Sequence, residues 1–302
     1  MRFGGHETFH IREGWLRKGL QLLHEDPAKL VDEHAADWLG VGRNMAKSIR
    51  HWLVASELAT LKGTSRKPGA LEPTSLGNLI HESDPYFLEL GTWWALHANL
   101  VRSTQHALTW NWFFNNFRVG RFEKPVCLQG LTRHLENQKV RLPSPKTLDR
   151  DLSCLLSTYG QKLPPTTDDP EDALECPMVD LGLLTFYRDS GVYEMNLGPK
   201  PVPAPLLGYA LSRAFGDELN GKKRFDVGIR DAVAHPNSVG AVFSVTAESL
   251  FEMMSAAEVE ADGRLCIVGL ASQRAIRLRV MPDGLDWLKL YYASLKDESN
   301  AA

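Results

Sequence analysis

Residues 36–55 read A-D-W-L-G-V-G-R-N-M-A-K-S-I-R-H-W-L-V-A, and this stretch has the clearest structural pattern in the chain. Apolar residues recur at helical spacing on both sides of the turn Gly40–Val41–Gly42. Ala36 lies four residues before Gly40, and these small residues allow two helices to cross closely. The stretch therefore predicts a helix-turn-helix, a unit that many DNA-binding proteins share.

The second helix of this pair is expected to carry the DNA contacts. From residue 43 to residue 67 there are six Lys and Arg residues and one acid, Glu57. Side chains of these types can reach phosphates and base edges, and residues 62–69 are expected to form the tip of a wing. The alternative is a helical hairpin whose charges only face water. The predicted contacts are Arg43, Asn44, Lys47, Ser48, Arg50 and His51.

The middle of the chain is aromatic and then basic. Residues 80–117 contain four tryptophans at helical spacing, which indicates buried packing between helices. Residues 118–160 hold eight basic residues and four acids. Two helical patterns lie there, and the second has Lys146 and Arg150 off its apolar stripe. We predict a second helix-turn-helix-like pair with both cations on DNA, with a plain helical hairpin as the alternative.

An acidic, proline-rich stretch at residues 163–177 predicts a linker before the last part of the chain. Residues 181–196 are expected to form a β-hairpin that turns at residues 189–191. From about residue 206 the order helix, β-hairpin, helix fits a third winged-helix-like module. The predicted fold class is mainly α with small β-hairpins (α+β), built from several winged-helix or helix-turn-helix-like modules joined by helical segments. The predicted domains are residues 1–78, 79–162 and 163–302.

Composition excludes several classes of protein. The 302 residues have a net charge of -3, with 43% hydrophobic and 24% charged residues, as in soluble globular proteins. No apolar run approaches the roughly 18 residues of a membrane span, and no signal peptide is recognised. The four cysteines are far apart, which argues against a zinc ribbon and a disulfide scaffold. A cytoplasmic location is expected.

Residues 6–10 read H-E-T-F-H and match the zinc-protease pattern H-E-x-x-H. The motif starts too close to Gly4 and Gly5 for a bracing element to precede it, and the extended pattern of such proteases is missing. We therefore expect no protease. Two interpretations remain open: an arm whose polar groups pair locally, or a cluster that cuts or grips a phosphodiester. In the second, His6 and Glu7 hold a divalent metal or exchange protons, and Arg12 neutralises phosphate.

A second polar cluster lies at residues 226–235, where Asp226, Arg230, Asp231 and His235 follow one another closely. Its spacing favours a solvated helix face over a catalytic group. The basic run at residues 222–224, Lys-Lys-Arg, precedes it and is a candidate phosphate contact.

Three stretches of the chain resemble one known family. Residues 3–20 (FGGHETFHIREGWLRKGL), 39–53 (LGVGRNMAKSIRHWL) and 236–246 (PNSVGAVFSVT) are similar to the SspB proteins of bacterial DNA phosphorothioation, and the resemblance covers nearly the whole chain. His10 lies outside the opening pattern of that family, which further weakens the protease interpretation. The residues that match the opening pattern are His6, Glu7, Thr8, Phe9, Arg12 and Trp15.

The resemblance implies a DNA-nicking protein of a phage-defence system. Its expected partners are duplex DNA, a cysteine desulfurase, an ATPase and an ATP-pyrophosphatase-like protein, which together replace a phosphate oxygen by sulfur. It implies no particular catalytic residue.

We therefore predict a metal-dependent nicking endonuclease with His6 and Glu7 as catalytic residues that hold Mg²⁺ or Mn²⁺, and with Arg12 on the phosphate. The alternatives are a non-catalytic DNA-binding subunit or transcriptional regulator, and a scaffold that binds partner proteins.

Overall fold

The computed structural model describes residues 3–62, 70–139, 142–164, 176–270 and 273–301. The chain divides into two units, Met1–Met195 and Asn196–Ala302. Both combine helices with small sheets, which confirms the predicted α+β class. The predicted boundary at residue 163 falls inside the first unit, because strand Gly160–Leu163 pairs with Leu184–Tyr187. Most of the predicted linker and most of the predicted wing tip lie outside the described residues.

The first unit begins with an arm, residues 3–14, and a group of short helices, followed by a two-stranded antiparallel sheet. Gly40 has φ 64°, a left-handed conformation that ends one helix and lets the next begin at Arg43, as the sequence predicted. The elements are α1 (Trp15–Glu25), α2 (Pro27–Val31), α3 (Ala35–Leu39), α4 (Arg43–Ala55), β1 (Ala59–Leu61), β2 (Leu71–Pro73) and α5 (Ser75–Ser83).

The second half of this unit packs the aromatic helices against a four-stranded sheet of order β3-β6-β5-β4. The tryptophans at 93, 94, 110 and 112 are buried, as predicted. The predicted hairpin is confirmed too, with a turn at Gly191, φ 69°. The elements are α6 (Leu90–Arg102), α7 (Leu108–Asn116), β3 (Arg121–Glu123), α8 (Lys124–Asn137), α9 (Pro145–Tyr159), β4 (Gly160–Leu163), a 3₁₀ turn (Pro177–Leu181), β5 (Leu184–Tyr187) and β6 (Val192–Met195).

The second unit is built on a three-stranded antiparallel sheet of order β7-β9-β8. The cluster at residues 226–235 is not one helix face, because Asp226 lies on a strand and Asp231 on the helix after it. The elements are α10 (Ala204–Ala214), α11 (Gly216–Leu219), β7 (Arg224–Gly228), α12 (Ile229–Ala234), α13 (Val239–Val242), α14 (Ala247–Glu260), β8 (Leu265–Leu270), β9 (Gln273–Arg279) and α15 (Leu285–Ala301).

Helices α10 and α15 of the second unit pack closely because Gly208 faces the indole of Trp287, which is 1% exposed. A buried cation holds the start of the unit in place. The Lys200 ammonium donates hydrogen bonds to the carbonyl oxygens of Asn196, Gly198 and Ser244 at 2.8, 3.0 and 3.4 Å. Burial lowers the pKa of Lys200 to about 8. None of the described helices is both long and apolar enough to cross a membrane.

Gly208→Ala is expected to destabilise the second unit. An added Cβ would overlap the Trp287 ring, so α10 and α15 would have to move apart. We expect urea denaturation to show a loss of about 1–3 kcal/mol, despite the better helix propensity of alanine. The control is Gly216→Ala, where no atom lies within 4 Å of an added Cβ. Equal stability of the two variants would contradict the close packing.

Candidate nucleic-acid interface

The H-E-T-F-H motif lies in an arm of two tight turns before α1. The backbone N–H groups of Glu7 and Phe9 donate to the carbonyls of Gly4 and His6 at 3.1 and 2.9 Å. Glu7 and Thr8 have positive φ angles of 50° and 75°. A zinc protease needs both histidines on one turn of a helix, and this geometry does not supply it.

His6 is buried, with 2% exposure, and both of its ring nitrogens have partners. Nε2 lies 2.8 Å from Oδ1 of Asp151, and Nδ1 accepts the N–H of Thr8 at 3.1 Å. A carboxylate only accepts hydrogen bonds, so Nε2 carries the hydrogen and Nδ1 the lone pair. The sequence predicted a catalytic residue and metal ligand at this position. In the structure His6 is buried and anchors the arm instead, so it is neither an accessible base nor an open metal ligand.

Asp151 is the centre of this anchor, and it is not among the site residues that the sequence predicted. Its Oδ1 also accepts the N–H of Gly4 at 2.7 Å, and its Oδ2 accepts the Thr109 hydroxyl at 2.9 Å. The carboxylate is thereby tied to the arm and to α7. One signal in the sequence could have found it: Asp151 lies on the apolar stripe of α9 between Leu148 and Leu155, where a carboxylate requires buried partners.

One face of α4 packs against the same arm. The indole of Trp52 lies parallel to the His6 ring at 5.9 Å and donates to the Phe9 carbonyl at 3.1 Å. Ser48 donates to the same carbonyl at 3.5 Å, and His51 lies against Gly5, where a Cβ would not fit. The prediction of Ser48 and His51 as DNA contacts is therefore corrected: both are buried, because the i, i+3, i+4 spacing points them at the arm.

The first turn of α4 and the face opposite to the arm are open to solvent. Arg43, Asn44 and Lys47 are exposed and Arg50 is half-buried. Lys47 donates to Asn44 Oδ1 at 3.4 Å, and its ammonium lies 3.8 Å from Glu7 Oε1. These four residues of the predicted recognition helix remain placed for contact with a ligand.

Helix α9 presents the other two predicted cations, Lys146 and Arg150, which are both exposed. They are one helical turn apart, so they share a face of the helix. Asp149 between them pairs with Lys124 at 2.7 Å. Asp151 of α9 binds Gly4, and His51 of α4 lies against Gly5. Both helices are therefore held to the same arm.

Arg12 lies where the arm meets the turn between α3 and α4. Its guanidinium is 5.6 Å from the ring centres of Phe9 and Trp15. It lines an open cavity of 730 Å³ together with Asp37, the residues of the Gly40–Gly42 turn and Met45. The cavity therefore brings the Arg12 cation next to the N-terminus of α4, where no side chain caps the helix.

His10 is a neutral neighbour of these cations. Burial first, and then the positive charges of Arg12 and Lys162, lower the pKa of its imidazole. At neutral pH His10 is therefore uncharged and adds no positive charge to this surface.

His6 and Glu7 do not form a magnesium site in this geometry. Mg²⁺ prefers several oxygen ligands, whereas His6 offers nitrogens that are already bonded and Glu7 lies beside Lys47. Within the described residues no group of three or more His, Cys, Asp or Glu side chains is arranged to hold a metal ion.

Comparison with known proteins gives a family and a fold. A family model described as "Protein of unknown function (DUF4007)" matches residues 3–292. No curated protein matches the chain. A magnesium ion-bound SspB crystal structure superposes with a TM-score of 0.81 at 23% identity, and another SspB crystal structure with 0.81 at 25%. Each comparison covers 96% of this chain and 88% of the SspB chain, so the fold is SspB-like.

Asp151→Ala is expected to free the arm and lower stability. The change leaves the Gly4 N–H, the His6 Nε2–H and the Thr109 hydroxyl without their acceptor. We expect a loss of about 3 kcal/mol or more in urea denaturation, since several buried donors lose their partner together. Asp149→Ala, two residues away, removes only a partly exposed ion pair and should cost less than about 1 kcal/mol. Similar losses in both variants would refute the anchor.

Proposed function

Since the chain belongs to the DUF4007 family and shares the fold of SspB, we propose that it is a duplex-DNA-binding component of a DNA phosphorothioation system. The single observation that carries the proposal is the division of α4 into two faces. Ser48, His51 and Trp52 hold the arm, while Arg43 and Lys47 face solvent. A helix that is fixed on one side and cationic on the other is suited to bind a polyanion.

The order of elements supports α4 as a recognition helix. Helix α3, the turn at Gly40–Gly42, helix α4 and the antiparallel pair β1–β2 follow each other as in a winged helix. In that arrangement the second helix enters the major groove and its first residues contact base edges. Arg43, Asn44 and Lys47 occupy those first positions.

Phosphate contacts are assigned to the two ends of this surface. Arg12 and the uncapped N-terminus of α4 line one cavity and favour an anionic group there, whereas the carboxylates of Glu13 and Asp37, which also line it, oppose one. Lys146 and Arg150 on α9 are assigned to the phosphates as well, because α9 is fastened to the same arm. Such contacts fix the position of the duplex without reading its sequence.

Arg43→Ala and Lys47→Ala should each weaken duplex binding and reduce its salt dependence. Each variant removes one positive charge from the interface with the duplex, and one charge fewer against the phosphates lowers the slope of log K against log salt by about 0.9. Fluorescence anisotropy with a labelled duplex over a range of salt concentrations measures both quantities. Arg17→Ala is the matched control, because Arg17 is an exposed cation of α1 that stacks on Tyr86. Unchanged affinity in both α4 variants would remove the recognition-helix proposal and favour a scaffold that binds proteins.

Strand nicking is the second candidate function. The observation that favours it is that a magnesium ion-bound SspB has the same fold. In this chain Glu7 is the carboxylate beside the cationic face of α4, and a nicking reaction would place it near the scissile phosphate. The cysteine desulfurase, the ATPase and the ATP-pyrophosphatase-like protein that sulfur incorporation requires are the proposed partners.

Glu7→Gln separates nicking from binding. Because Glu7 lies 3.8 Å from Lys47, its neutralisation should leave duplex affinity unchanged or raise it. If Glu7 acts in cutting, the same variant loses the relaxation of supercoiled plasmid, which is assayed with Mg²⁺ or Mn²⁺ present. Glu25→Gln, which neutralises an exposed acid of α1 away from the assigned DNA surface, should cut like the parent protein. Normal cutting by Glu7→Gln would end its catalytic assignment, and a parent protein that binds without cutting would be a non-catalytic subunit.

A further inference from the structure

The second unit carries a basic groove of 760 Å³ at one end of its sheet. Three separate segments supply its charge: the start of β7, the residue before β8 and the end of β9. The N–H of Arg279 donates to the carbonyl of Arg264 at 2.8 Å, and the N–H of Val280 donates to that of Lys223 at 3.0 Å. The cations that line it are Lys222, Lys223, Arg224, Arg264, Arg277 and Arg279.

Strand register places three of these arginines in one row across the sheet. Arg224 on β7 is the partner of Arg279 on β9. On the other side of β9, Leu265 of β8 pairs with Leu278 of β9. The next residues outward along the two strands, Arg264 and Arg279, therefore lie beside each other. Directly opposed residues of neighbouring strands point to the same face. The side chains of the row therefore share the face opposite to the buried Phe225 and Leu278.

Two carboxylates offset only part of this charge. Asp226 binds Arg277 through two hydrogen bonds of 2.8 and 2.7 Å, and Asp262 pairs with Arg264 at 3.1 Å. The guanidinium of Arg277 lowers the pKa of Asp226, so that this carboxylate is occupied as a counter-ion. Among the described residues no carboxylate pairs with Lys223, Arg224 or Arg279.

Like charges that face each other across two strands destabilise a sheet. Repulsion between Arg224 and Arg279 therefore lowers the stability of the free protein, and a bound anionic ligand removes this repulsion. The row crosses three strands, a width of roughly 10 Å at the usual strand spacing, so that a single phosphate is too small to meet all of it. Consecutive phosphates along a nucleic-acid backbone supply negative charge over such a length.

We propose that this groove is a second DNA-binding surface, which takes the phosphate backbone of a duplex without reading bases. Arg224 and Arg279 contact phosphates directly, and Lys223 adds positive charge beside them. The Asp226–Arg277 ion pair holds the neighbouring positions of β7 and β9 together. The choice of duplex DNA as occupant rests on the proposed function, whereas the basic groove itself does not depend on it.

The test compares full-length variants by anisotropy with the same labelled duplex over a range of salt concentrations. Arg224→Ala/Arg279→Ala should lower the slope of log K against log salt by about 2, and the affinity by about tenfold or more at moderate salt. Arg230→Ala/Lys296→Ala is the matched control: both residues are exposed cations of the second unit, and Arg230 lines a separate cavity with Glu248 and Glu252. The control should bind within twofold of the parent protein.

A second readout guards against a folding defect. Without DNA at low salt, Arg279→Gln should melt at the same temperature as the parent protein or higher, because it relieves the repulsion from Arg224. Reduced DNA affinity together with an undiminished melting temperature supports the groove. A lower melting temperature would mean that Arg279 is structural, and it would overturn the proposal.

The two DNA surfaces can fail separately. Unchanged affinity and slope in Arg224→Ala/Arg279→Ala, while Lys47→Ala binds weakly, would overturn the groove and leave the proposed function standing. Weak binding by Arg224→Ala/Arg279→Ala, with unchanged affinity in both Arg43→Ala and Lys47→Ala, would support the groove and refute α4 as the recognition helix. If neither variant loses affinity, both assignments fail, and an acidic protein becomes the better occupant for the groove.

Discussion

A single buried carboxylate holds the first unit in its functional arrangement. Asp151 accepts hydrogens from Gly4, His6 and Thr109, and it thereby joins the arm to α7 and α9, although Gly4 lies 147 residues away in the chain. A buried charge is costly unless its partners are in place, so the arm, α7 and α9 must assemble together. The other side of the arm then receives α4 through Trp52.

The arm also changes the meaning of the H-E-T-F-H motif. A pattern of five letters implies a metal site only if a helix presents both histidines on one side, and here two turns with positive φ occupy those positions. Both ring nitrogens of His6 are hydrogen-bonded, one to Asp151 and the other to Thr8, while Glu7 turns outward towards Lys47. The two residues therefore have different environments: one stabilises the fold, and the other faces the surface assigned to DNA.

Positive charge is concentrated on particular surfaces of this protein, which the net charge of -3 does not reveal. In the first unit, α4 turns its apolar and hydrogen-bonding residues inward and leaves Arg43 and Lys47 outside. In the second unit, strand register gathers Arg224 and Arg279 side by side although 55 positions separate them in sequence. Both surfaces present cations on rigid elements, which is what a salt-dependent contact with phosphates requires.

Sequence patterns were sufficient to predict the α+β class, the turn at Gly40, the hairpin at Gly191 and the burial of the tryptophans, because these follow from local spacing and backbone preference. They also indicated the exposed cations of α4 and α9. The sequence did not show that Ser48 and His51 face the arm, that His6 is an anchor or that Asp151 is its partner, because these contacts arise from tertiary packing. Contacts between residues far apart in the chain depend on how elements pack, and no local pattern records which face will meet which neighbour.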